Sequence, residues 1–93
     1  MSGGFFDYNQ YKIRDIIDSL EDVLANKRKH NKEYDYIQND YTDETFAELE
    51  TALEILKNAE IYVKRIDYLL SDDDGEESFH KRLAEDFKKL RGF

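Results

Sequence analysis

His30 and His80 are the only imidazoles in the chain, and there is no cysteine. A zinc site needs three or four nitrogen, sulfur or carboxylate ligands converging on one ion, often paired within a helical turn as in HExxH. The two histidines have no such partner spacing, so no metal site is expected. Ser78 stands two residues from His80, but i and i+2 side chains do not face each other on a helix, which argues against a serine–histidine–acid relay. The acidic run Asp72-Asp73-Asp74-Gly75-Glu76-Glu77 invites a calcium reading. Aligned on Gly75 as the sixth residue of an EF-hand loop, Asp72 and Asp74 fall correctly, but Leu70 takes the first ligand position and Lys81 the twelfth. The run therefore reads as the acidic start of a helix. Gly3-Gly4 has no strand before it and makes no phosphate loop. Among 22 carboxylates no pair stands out as general acid and base. These residues predict a protein that is not an enzyme and takes no cofactor.

Binding features remain. Four aromatics crowd the segment Phe5-Phe6-Asp7-Tyr8-Asn9-Gln10-Tyr11, and three tyrosines with an isoleucine crowd residues 31–41. Tyrosine suits both packing and contact, because its ring is apolar and its hydroxyl wet. Lys64, Arg65 and Asp67 sit beside Tyr68, and an arginine next to an aromatic can grip a planar or anionic ligand. His80 lies beside the apolar face of the last helix, where it reads first as a structural histidine and second as a pocket residue. The candidate binding residues are thus Phe5, Tyr8, Tyr34, Tyr36, Arg65, Tyr68 and His80.

Three helices are expected to position them within one domain, 1–93. Helix 1, about 8–30, begins where Asp7 caps the first turn and Gln10 reaches back, with Phe6 and Tyr11 spaced as a hydrophobic staple. Ile13, Ile16, Ile17, Leu20, Val23 and Leu24 form its stripe, and Lys27, Arg28 and Lys29 complement the dipole at its end. A tyrosine-rich connection fills 31–41. Helix 2, about 43–70, opens on a Thr42 cap stapled by Tyr41 and Phe46. It carries two stripes, Phe46-Leu49-Leu53-Leu56-Val63-Ile66-Leu70 and Ala52-Ile55-Ala59-Tyr62-Ile66-Leu69, and so demands cover on two sides. After the acidic turn 71–77, with Asp74 and Glu77 at capping-box spacing, helix 3 runs from about 78 to 91 on Phe79, Leu83, Phe87 and Leu90. No stretch alternates with period two, so no sheet is expected. The fold class is all-α, a three-helix bundle with a long central helix. At 1.5 Å per residue that helix spans about 42 Å, longer than either neighbour, and the overhang predicts a homo-oligomer.

With 93 residues and a net charge of −8, the chain lacks the basic surface that direct nucleic-acid binding requires. The absence of cysteine and of any run of about 20 apolar residues, together with a start unlike a signal peptide, suits a cytoplasmic protein off the membrane. Asp15, Asp18 and Asp22 share one face of helix 1, and Glu50 and Glu54 one face of helix 2. That arrangement allows an acidic DNA mimic.

The segments GGFFDYNQYKIRDIIDSLED and AEIYVKRIDYLLSDDDGEESFHKRLAEDF resemble a group of small, acidic, uncharacterised proteins of bacteriophages, prophages and mobile elements. The similarity covers about half the chain, at both ends, and departs from the group at Tyr68, where it has tryptophan, and at Asp72, where it has glycine. The resemblance implies a stoichiometric binding protein inside a bacterial host, many such proteins being inhibitors of host defence. Its partner would be a host protein. An oligomeric sponge for a nucleotide ligand, an acidic DNA mimic and a plain structural or regulatory helical bundle are the alternative expectations.

Overall fold

The computed structural model describes residues 4–92; Met1, Ser2 and Gly3, read above as part of a start without leader features, and Phe93 lie outside the described residues. Three helices carry most of the chain: α1 (Gln10–Ala25), α2 (Asp43–Leu70) and α3 (Glu76–Leu90). Between α1 and α2 lie two short antiparallel strands, β1 (Lys29–Asn31) and β2 (Tyr36–Gln38). No helix is long and apolar enough to cross a membrane among the described residues.

The two strands correct the expectation of no sheet, and the second lies within the tyrosine-rich connection 31–41. Lys29 pairs with Gln38, His30 with Ile37 and Asn31 with Tyr36. The turn has neither glycine nor proline. Asn31 supplies the turn chemistry instead, its Oδ1 accepting from the backbone N–H of Glu33 at 3.0 Å and of Tyr34 at 3.2 Å. Asp35 takes the left-handed conformation, φ 50°, which acidic and amide side chains tolerate better than most. His30 Nε2 lies 3.0 Å from Asp35 Oδ1 across the turn.

Forming the hairpin ends α1 at Ala25, five residues before the expected boundary near 30. Asn26 closes the helix, its backbone N–H and side-chain Nδ2 both donating to the Asp22 carbonyl. Lys27, Arg28 and Lys29 are consequently not dipole partners of α1. Lys27 pairs with Glu50 at 2.9 Å and Arg28 with Asp43 at 2.7 Å, tying the hairpin base to the first turns of α2.

The start of α1 also differs. Asp7 and Tyr8 are both left-handed, φ 53° and 65°, and the N-cap is Asn9, without a side-chain cap bond. A longer-range group has replaced the expected box. Asp67, 5% exposed inside α2, accepts from the backbone N–H of Phe6 at 2.8 Å and from Gln10 Nε2 at 3.5 Å. Gly4 passes so close to this carboxylate that a Cβ there would sit 2.8 Å from Asp67 Oδ2. A buried acid with its oxygens hydrogen-bonded thus pins the turn before α1 to the far end of α2.

Thr42 caps α2 as expected, its hydroxyl accepting from Thr45 N at 3.2 Å. Tyr41 meets Phe46 edge to face, 6.0 Å between ring centres. At the other end Asp72 is left-handed, φ 61°, with Asp72 N donating to Leu69 O and Asp73 N to Tyr68 O. That pattern satisfies the orphan carbonyls of the last turn. Asp74 is not the cap of α3. The N-cap is Gly75, without a side-chain bond, and Asp74 faces Arg82 at 3.5 Å.

The helices do not close into the expected bundle. α1 and α3 each pack on α2, and among the described residues their Cα atoms do not come within 8 Å of one another. α2 is therefore the middle of an open layer, 54 × 31 × 17 Å overall. Among the described residues only Ile17 and Phe46 of the apolar side chains are buried, at 0% and 3% exposure.

Candidate ligand groove

An open layer of three helices leaves a trough over the middle one. Here α1 contributes Gln10, Tyr11 and Arg14, α2 contributes Glu60, Ile61, Lys64 and Tyr68, and α3 contributes Asp86, Lys89 and Leu90. The α2 residues recur at three- and four-residue spacing, which puts them on one face. Together they enclose about 660 Å³, within the range of small-ligand sites.

The charges in the groove are arranged in two locked pairs and two free lysines. Arg14 holds Glu60 with Nε at 2.7 Å and with Nη2, and reaches Asp18 through Nη1 at 3.2 Å. The hydrogen bond to Glu60 raises the Arg14 pKa above its ordinary value. Arg65 grips Asp86 in fork geometry, Nε to Oδ2 at 2.6 Å and Nη2 to Oδ1 at 3.1 Å. That hydrogen bond pulls the Asp86 carboxyl below the ordinary carboxylate value, with the fields of Lys64 and Lys89 adding to the shift. It raises the Arg65 guanidinium correspondingly. Both acids of the groove are thus matched by an arginine. Lys64 and Lys89 have no ion pair among the described residues. In a chain of net charge −8 this trough carries a local positive surplus.

The seven residues singled out by sequence do not gather in one place. Phe5 and Tyr8 sit at the C-terminal end of α2, 58% and 54% exposed, with Phe5 N donating to Ser71 Oγ at 2.7 Å. Tyr34 and Tyr36 lie in the hairpin at the opposite end, 71% and 48% exposed. About 42 Å of helix separates these two groups. Tyr68 does line the groove. Arg65 lies under its ring, 5.8 Å from guanidinium carbon to ring centre, but is engaged by Asp86 and is not part of the lining. His80 is exposed on α3 beside Phe79, away from the trough. The earlier pairing of Arg65 with Asp67 in one surface cluster is corrected: these side chains leave α2 in different directions, one to α3 and the other to the start of α1.

Arg14, Glu60 and Lys89 had no sequence signal as a site, and Gln10 and Tyr11 stood in the aromatic segment only as residues of a helix start. Each looks like an ordinary surface or boundary residue of its own helix. Only the antiparallel seating of α1 and α3 on α2 brings them together. Comparison with protein-family models, curated proteins and solved structures finds no match to the chain.

Proposed function

We propose that the chain is a non-enzymatic binding protein of phage or mobile-element origin, working as a homo-oligomer in the bacterial cytoplasm and blocking a host defence by stoichiometric capture. The carrying observation is the apolar surface that the open layer leaves uncovered. Ile16 on α1 and Ile55, Tyr62 and Leu70 on α2 are 54%, 62%, 47% and 47% exposed. At 100° per residue Ile55 and Ile66 fall roughly 120–140° around α2 from groove residue Ile61, so this apolar face is turned away from the groove.

Size supports the same reading. A monomeric protein of 11.1 kDa is expected to expose about 5,700 Å², whereas this chain exposes 7080 Å². The difference exceeds the roughly 800 Å² per partner that a standard interface buries. The radius of gyration, 17.4 Å, likewise exceeds the roughly 12 Å of a domain of this length. A second copy laid over Ile16 and Ile55 would supply the cover that α2 lacks.

Two measurements test this reading. Light scattering after size exclusion should give a dimer or larger species for the native chain. Ile55→Glu, which puts a charge on an already exposed position, should shift it to monomer with its helical signal kept. A native chain that runs as a monomer at tens of micromolar removes the assembly. Separately, the protein should restore phage plating in at least one strain of a panel, each carrying a single defence system. Phe5→Ala with Tyr8→Ala should lose that effect at unchanged helicity. No restoration across the panel removes the anti-defence role.

A further inference from the structure

We propose that the groove between α1 and α3 binds a planar aromatic anion of nucleotide size, a base bearing one or more phosphates. This deepens the binding-protein reading and rests on it, since it names a target class for the same molecule.

Four features meet in the groove. Lys64 and Lys89 are exposed cations without ion-pair partners among the described residues. Both line the trough together with Asp86. Because Asp86 is already held by Arg65, and Glu60 by Arg14, the lysines are left to meet an anion from outside. A phosphate offers them charge-assisted hydrogen bonds.

Tyr11 and Tyr68 line the same space, and each is braced from behind. Tyr11 stacks on Tyr8, 6.0 Å between centres at 29°, and Tyr68 rests near the Arg65 guanidinium. Tyrosines already held in place suit stacking on a base at low ordering cost. Ile61 and Leu90 add the apolar surface that a base needs and a bare phosphate does not.

Gln10 supplies the third feature. Its Nε2 donates to Asp67 Oδ2 at 3.5 Å, which sets the amide orientation. Its Oε1 is buried and has no donor among the described residues. A buried acceptor without a partner is uncommon, and a small turn of the Gln10 side chain toward the trough would let an exocyclic amine or ring N–H of a base satisfy it. The fourth feature is size: about 660 Å³ accommodates a mononucleotide or a small dinucleotide. The two arginine–carboxylate pairs hold the walls, so the groove exists before a ligand enters.

The test is a titration of the isotope-labelled full chain with AMP, GMP, UMP and the dinucleotide pApA, with adenosine and inorganic phosphate as half-ligand controls. At least one nucleotide should give saturable shifts at Tyr11, Lys64, Tyr68 and Lys89, at least ten-fold tighter than either control. The exposed double variant Lys64→Gln with Lys89→Gln should weaken it at least ten-fold while circular dichroism is unchanged. No saturation by any nucleotide below 1 mM, or equal binding by the double variant, overturns the proposal. If phosphate alone binds as tightly, the site is an anion site and the base-stacking claim is wrong. Nucleotide failure with phage plating still restored sinks the groove but leaves the binding-protein reading standing. Saturable nucleotide binding with no restored plating does the reverse to the defence role.

Discussion

Phe46→Ala should destabilise the protein by about 3–5 kcal/mol, the cost of truncating a fully packed aromatic. Phe46 is 3% exposed and is the point where three segments meet. Tyr41 approaches its edge, and Lys27 and Arg28 lie over the ring at 5.4 and 5.2 Å from its centre. Those two basic residues also carry the ion pairs that hold the hairpin base to α2. Removing the ring would therefore loosen the end of α1, the hairpin and the first turn of α2 together. For a chain of this length each kcal/mol lowers Tm by about 4–8 °C, so a fall of roughly 12–40 °C is expected in a thermal melt followed at 222 nm. Phe46→Leu, which keeps much of the apolar volume, should cost far less. A loss below about 1 kcal/mol for the alanine variant would mean that neighbours collapse into the space.

Asp86→Ala is the second large effect. It strips Arg65 of its fork partner while the guanidinium side chain remains only 13% exposed. Breaking a buried pair from one side leaves an uncompensated charge and typically costs about 3–5 kcal/mol. The thin layer keeps water near, so about 2–3 kcal/mol is the better figure here. The loss should appear first in α3, as faster proteolytic cleavage after Lys88 or Lys89 than after residues of α1. Asp86→Asn, which keeps one acceptor, should fall between the two.

The same pair gives a pH signature. The Asp86 carboxyl titrates below its unfolded value, which is near 3.9. Its stabilisation is therefore complete above the unfolded pKa and is lost as pH falls through the lower, folded one. The stability gap between the native chain and Asp86→Ala should be constant from about pH 5 to 8 and close below about pH 4. The raised Arg65 value adds nothing in this range, because arginine is protonated in both states throughout it. A gap that persists unchanged at pH 2 would show that Asp86 acts by packing alone.

Some of this structure was legible because its causes are local. α2 runs over the expected 43–70, with the Thr42 cap and the Tyr41–Phe46 contact in place, since a cap and a staple involve residues within one or two turns. The first turn of α1 illustrates the opposite. Asp7 has a capping residue's chemistry, yet Asp67, sixty positions later, binds Phe6 N and Gln10 and imposes a left-handed Asp7 instead. The hairpin was hidden for a related reason. Its strands have three residues each, too few to display alternation, and its turn depends on Asn31 and Asp35 rather than on glycine.

By itself the sequence determined three amphipathic helices, the extents of α2 and α3 but not of α1, a net negative charge and the surplus apolar width of α2, all properties of residues within a few turns of one another. Tertiary structure alone decided that α1 and α3 flank α2 on either side, that Arg65 answers Asp86 rather than Asp67, and that Tyr11, Lys64, Tyr68 and Lys89 share one trough. Helical periodicity dictates which residues share a face of their own helix. It does not dictate which face of another helix they meet, because that depends on crossing geometry and register between segments far apart in the chain.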